Sequence, residues 1–146
     1  MKSRIYLAPP FFNLEERTCM ETVLKVLRAS NFEVFAPYEF VIDDAWDLSN
    51  EVWGKQIFQG DVKEIDKCDI VVAINHGLHS DSGTAFEIGY AFAKQKPIFV
   101  VYFEETLDSL MMNNAATGCI NYKDFEQNKT LNILDYMGVT CPNEQK

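Results

Sequence analysis

Asp81-Ser82-Gly83-Thr84-Ala85-Phe86-Glu87-Ile88-Gly89-Tyr90 decides the fold, because of what stands on either side of it. Before it runs Ile70-Val71-Val72-Ala73-Ile74, which has the length and β-branching of a buried strand. After it, Ala91 to Lys94 carry a helix onward. Strand, short polar loop and helix form the unit that brings side chains to the open edge of a parallel sheet. Glu87 is the unusual member, set among Phe86, Ile88, Tyr90 and Phe92, with Gly83 and Gly89 allowing backbone to come close. A carboxylate there is either solvated on the helix surface or placed for chemistry, since Glu is seldom buried unless paired.

The same unit recurs outward in both directions. Arg4 to Ala8 read as a first strand, stopped by Pro9-Pro10. Asn13, with Glu16 three residues on, reads as the cap of a helix running to about Ala29. Glu33 to Phe35 give a short second strand, and 38–49 an acidic, aromatic, irregular loop, expected to act as a lid with Tyr38 and Trp46 as contacts. A second helix is expected over Asn50 to Lys67, with Val52, Ile57, Val62 and Ile65 inward. Asp69 to Asn75 and Pro97 to Phe103 are the third and fourth strands. Thr106 to Ala116 read as a short helix or turn, Cys119-Ile120 as a brief fifth strand, and Asp124 to Met137 as one closing helix with a loose polar tail after Gly138.

Alternating strands and helices predict a parallel sheet covered on both faces. Right-handed crossovers leave few topologies, of which the flavodoxin-like three-layer sandwich, α/β with five parallel strands in the order 2-1-3-4-5, fits best. Residues 1–146 are expected to form one domain. The switch point lies between strands one and three, so Tyr6 to Phe12 and Asn75 to Glu87 would line the ligand crevice.

Composition excludes several partners. The formal charge is −9, and the arginines are Arg4, Arg17 and Arg28 alone, so neither nucleic acid nor an anionic membrane is an expected partner. No apolar run approaches the roughly 18 residues of a membrane span. The N-terminus leads into a strand rather than a signal peptide, which points to a cytoplasmic protein. Cys19, Cys68, Cys119 and Cys141 are scattered and are expected to be reduced. With His76 and His79 they lack zinc-ligand spacing, so no metal is expected.

No glycine-rich phosphate loop is present, which disfavours a nucleotide held by its phosphates, and no cofactor is expected. The acids on offer are Asp61, Asp81 and Glu87; the aromatics include Tyr6, Phe11, Phe12, Tyr38, Phe40, Trp46 and Trp53. Carboxylates with flat rings suit a neutral ligand bearing hydroxyls and a ring, as a nucleoside does. Asp61, among Lys63, Glu64, Asp66 and Lys67, also reads as an ordinary solvated helix acid, and Phe11 and Phe12 as core.

Three separated motifs resemble the nucleoside 2-deoxyribosyltransferases: Ile5-Tyr6-Leu7-Ala8-Pro9-Pro10-Phe11-Phe12, Gly60-Asp61, and Asp81-x-Gly83-Thr84-Ala85-x-Glu87-Ile88-Gly89-Tyr90. A fourth, Ser109-Leu110-Met111-Met112, resembles the segment that one subunit lends to its neighbour's site. The resemblance implies a nucleophile at Glu87, a tyrosine holding it at Tyr6, and an acid acting on the base at Asp61. It implies Asp81, Gly83, Phe11 and Phe12 in substrate binding, with Ser109, Met111 and Asn113 or Asn114 contributed across an interface. The partners implied are 2′-deoxyribonucleosides and free nucleobases, in nucleoside salvage, and a dimer-based homo-oligomer with a hexamer among the options. Two departures stand out. Ser109 occupies a position where family transferases carry asparagine and related nucleotide N-hydrolases carry serine. A base-reading glutamine is replaced near Val41.

The alternative within the superfamily is a 2′-deoxynucleoside 5′-monophosphate N-glycosidase; Asp81 and the scarcity of arginine speak against it. A glycosidase of a nicotinamide nucleotide meets the same objection. A non-catalytic flavodoxin-like binding domain is the reading of another class. It would want acids or a Ser/Thr/Gly-rich loop after strand one, where Ala8-Pro9-Pro10 stand.

Overall fold

The computed structural model describes residues 1–76, 81–104 and 109–142. Its strands are β1 (Arg4–Ala8), β2 (Glu33–Phe35), β3 (Ile70–Ile74), β4 (Ile98–Tyr102) and β5 (Gly118–Asn121). They form one five-stranded sheet in the order β2-β1-β3-β4-β5, every pair parallel. The helices are α1 (Leu14–Ala29), α2 (Asn50–Lys67), α3 (Ser82–Ala93), α4 (Leu110–Ala115) and α5 (Tyr122–Gln127). Strand order and helix alternation are those expected from the sequence.

Strand alternation divides the core in two. Ile5, Leu7, Val72, Phe99 and Val101 pack on one face with α1 and α5. Tyr6, Ala8, Val71, Ala73, Ile98 and Val100 pack on the other with Ile65 of α2 and Ile88 and Ala91 of α3. Near-continuous apolar strands are what two covered faces require. Tyr6 belongs to the second face and is wholly buried.

Local signals set the helix starts. Asn13 accepts from Glu16 N at 2.8 Å, and the Glu16 carboxylate accepts from Phe12 N at 2.9 Å, satisfying two donors at the head of α1. Ser49, Asp81 and Ser109 cap α2, α3 and α4 in the same way.

Four expectations are corrected. The closing helix is broken: α5 ends at Gln127, and only Ile133–Tyr136 turn again, as a 3-10 helix. Asparagines break it, since Asn128 donates to Asp124 O at 2.8 Å and Asn132 accepts from Leu134 N at 3.2 Å. Ser30 Oγ then takes Leu131 N at 2.8 Å. The tail is tied down to Cys141 rather than loose: Gly138 N reaches Thr117 O at 3.0 Å and Cys119 N reaches Val139 O at 2.9 Å. Cys119 and Cys141 form a disulfide with Cα atoms 5.0 Å apart, so only Cys19 and Cys68 are free. In α2, Ile65 alone of the expected inward residues is fully buried and Val52 is exposed. The Thr106-to-Ala116 segment yields α4 in its described part, while Thr106, like His79, lies outside the described residues. No helix among the described residues is long and apolar enough to cross a membrane.

Candidate active site

Glu87 lies midway along α3, on the side that faces β1, and accepts a hydrogen bond from the Tyr6 hydroxyl. Period-two alternation aims Tyr6 at α3, and the i to i+4 rise of the helix places Glu87 above the sheet's carboxyl edge. Phe35 of β2 stacks on the Tyr6 ring at 5.6 Å, fixing the hydroxyl from behind.

A cavity of about 450 Å³ opens beside this pair. Its polar groups are the carboxylates of Asp61, Asp81 and Glu87 together with Tyr38 and Trp53. Its walls are aromatic, from Tyr38, Phe40, Trp53, Phe58 and Phe86, and no lysine or arginine lines it among the described residues. That combination can hold a flat, neutral ligand and work on it with acids, but offers nothing to neutralise a phosphate.

The electrostatics follow from crowding three acids in partial burial. Burial pushes the Glu87 carboxyl up to about 7, against the pull of the Tyr6 hydrogen bond and with the charges of Asp61 and Asp81 adding to the push. Burial also raises Asp61 to about 6, helped by the charge of Glu64. One Asp61 oxygen, Oδ1, is buried without a hydrogen-bond partner. Burial and the neighbouring Glu87 charge push the Tyr6 hydroxyl far up, so it stays protonated and donates. Burial thus leaves each of the two carboxyls able to hold a proton close to neutrality.

Asp81 does two things. Its Oδ2 caps α3, accepting from Thr84 N at 2.9 Å and from Thr84 Oγ1 at 3.0 Å. Its carboxylate also lines the cavity. Gly83 permits this, because a Cβ there would come to 3.0 Å from Asp81 Oδ2.

Of the residues singled out from sequence, Glu87, Asp61, Asp81, Gly83 and Phe11 line the cavity, and Tyr6 bonds Glu87. Phe12 does not line it: its ring is 73% exposed and stacks on the outer face of Phe11 at 5.5 Å. Trp46 is fully exposed and away from the cavity, whereas Tyr38 lines it. Ser109 and Met111 line a separate apolar cavity of about 480 Å³ with Ala85, Ile88 and Phe92, on another side of α3. Asn113 is buried in α4, and Asn114 donates to Leu110 O at 2.7 Å. Within one chain this segment does not reach Glu87's cavity.

Sequence reading missed Phe58 and Phe86 as cavity walls, which lie 5.6 Å apart by ring centroids. A signal for the α2 wall was available. Trp53, Ile57, Asp61 and Ile65 recur at every fourth position, so Asp61 sits on the helix's apolar stripe rather than on its solvated face.

The model of the family described as nucleoside 2-deoxyribosyltransferase matches residues 5–131. A nucleoside deoxyribosyltransferase of Limosilactobacillus fermentum is 28% identical, over 96% of this chain and 92% of that protein. A Thermofilum pendens protein assigned as a 2′-deoxynucleoside 5′-phosphate N-hydrolase is 26% identical, over 73% of each chain. Among solved structures, a 2-deoxyribosyltransferase of Bacillus psychrosaccharolyticus superposes with a TM-score of 0.81 at 26% identity, over 96% of this chain and 100% of that one.

Proposed function

We propose that this chain, which belongs to the nucleoside 2-deoxyribosyltransferase family, exchanges the nucleobase of 2′-deoxyribonucleosides by double displacement through Glu87. The observation that carries this reading is the Tyr6–Glu87 hydrogen bond inside an aromatic cavity that also presents Asp61 and has no basic side chain among its described lining residues.

In the first displacement a Glu87 carboxylate oxygen attacks C1′ as the N-glycosidic bond breaks, and the Asp61 carboxyl gives its proton to the leaving base. The product is a 2-deoxyribosyl ester on Glu87 and a neutral free base. In the second, a ring nitrogen of the incoming base attacks C1′, its proton passes to Asp61, and Glu87 leaves as a carboxylate. Two inversions give retention. The Tyr6 hydroxyl orients Glu87 and stabilises its ionised form. Positive charge developing at the sugar favours an ionised Glu87, while burial favours the protonated form of Asp61. The 2-deoxy sugar eases the step, since no electron-withdrawing 2′-hydroxyl opposes the oxocarbenium. Asp81 and the lack of a lysine or arginine among the described lining residues favour a free nucleoside over its 5′-phosphate. The role in nucleoside salvage follows from this chemistry.

The competing reading is a 2′-deoxynucleoside 5′-monophosphate N-hydrolase, which Ser109 favours through its resemblance to the hydrolases. One assay separates the two. Incubation with thymidine or deoxyuridine plus free adenine is expected to yield deoxyadenosine. Release of free sugar alone, or reaction only with 5′-monophosphates, would establish the hydrolase instead.

A further inference from the structure

Phe40 rests edge-on against Gly60, the residue before Asp61 in α2. A Cβ at position 60 would come to 3.0 Å from Phe40 Cζ and 3.1 Å from Cε1. Real Cβ contacts are rarely that short, so a side chain there would make the ring give by a few tenths of an ångström. Phe35 packs against Phe40 at 6.1 Å and in turn stacks on Tyr6, so a ring pushed off Gly60 has the cavity it already lines as an open direction. Gly60 is thus the seat that keeps Phe40 back. Glycine inside a helix costs up to about 1 kcal/mol relative to alanine, and helical geometry at this position does not require it.

The rest of the cavity's chemistry points the same way. Phe40 and Phe58 offer wholly apolar ring faces and edges, which stack on any base without reading its edge. The polar groups of Asp61, Asp81, Tyr38 and Trp53 belong to other parts of the lining. Resting on the exchange reaction proposed above, we infer that Phe40 seated on Gly60 is the specificity-determining wall of the base site. Seated there, the ring leaves room for a bicyclic base, and its position sorts bases by ring size.

The test is Gly60→Ala, measured in two ways. Transfer is followed with thymidine as donor and either adenine or cytosine as acceptor. Binding of free adenine and free cytosine is followed by calorimetry, which reads the site without chemistry. Wild type is expected to bind and use both. Gly60→Ala is expected to weaken adenine several-fold relative to cytosine, below the roughly tenfold or more that a whole methylene inside a close-fitting pocket supplies, because the added methyl acts only by shifting the ring. The loss should fall in KM and in the calorimetric Kd more than in kcat, as expected of a wall that excludes rather than reacts. The double variant Gly60→Ala/Phe40→Leu, which removes the ring tip, should restore adenine. Equal loss for both bases, no recovery in the double variant, or a wild type that rejects adenine would overturn the inference. A wild type that binds both bases with this size pattern yet exchanges neither would overturn the reaction and leave the inference standing. Thermal melting checks that the variant folds, which alanine in a helix interior favours.

Discussion

Glu87 is held under opposed influences. Burial lifts its carboxyl from 4.5 to about 7, the Tyr6 hydroxyl draws it down, and Asp61 and Asp81 lift it further. A carboxyl whose pKa is higher in the folded than in the unfolded chain binds more protons when folded. Its favourable contribution is therefore complete near pH 4 and is lost as pH rises through about 7. Keeping Glu87 ionised in the fold above that pH costs on the order of 3 kcal/mol. Glu87→Gln removes that cost and keeps an acceptor for Tyr6. It is expected to abolish base exchange while raising the melting temperature at pH 8 by several degrees, a gain that fades toward pH 5. Equal melting temperatures for variant and wild type across this range, or substantial residual exchange, would contradict the role given to Glu87. The special place of Glu87 was visible in its apolar neighbours Phe86, Ile88 and Tyr90, whereas Asp61 was masked by the charges at Lys63, Glu64, Asp66 and Lys67. Its four-residue spacing from Trp53, Ile57 and Ile65 marked its face, and only packing against β1 and α3 turned that face into a cavity wall.

Helix α3 joins structure and chemistry at its first turn. Asp81 caps the helix through Thr84 and adds negative charge beside Glu87. Asparagine caps as well as aspartate does but carries no charge. Asp81→Asn is therefore expected to keep the fold's stability, to move the acid limb of the kcat/KM profile to lower pH as Glu87 is relieved of a neighbour, and to increase reaction with 5′-monophosphates. Asp81→Ala should lose about 1 kcal/mol of stability as well. An Asn variant with an unchanged pH profile and unchanged selectivity would reduce Asp81 to a cap. Element boundaries were legible wherever period and punctuation agreed, as at β1 before Pro9-Pro10 and at α1 after Asn13. The closing helix was not, because Asn128, Asn132 and the distant Ser30 share out its backbone hydrogen bonds, and Ser30 is 101 residues from Leu131.

At the scale of the molecule, α3 and α4 leave apolar side chains outside the core: Phe92 and Met111 are well exposed at the second cavity, and Leu110 is exposed beside Met111. Such a patch is expected to be covered by another copy, against the mutual repulsion of two chains of net charge −9, as the resemblance of 109–112 to a lent segment implies. Sedimentation of the active protein should show a homo-oligomer, and Met111→Glu should both dissociate it and lower exchange. A monomer with full activity would contradict a shared site. By itself the sequence determined the alternation of strands and helices, hence a parallel sheet in the order β2-β1-β3-β4-β5, and the acid at its switch point. Those follow from periods of two and 3.6 and from right-handed crossovers, which are local or general rules. Only the tertiary structure decided that Cys119 bonds Cys141, that Phe12 turns outward while Phe58 and Phe86 face the cavity, and that burial lifts Asp61 and Glu87 toward neutrality. Each of these depends on which distant segments meet and how much water they leave between them, and neither quantity is written in the spacing of residues along the chain.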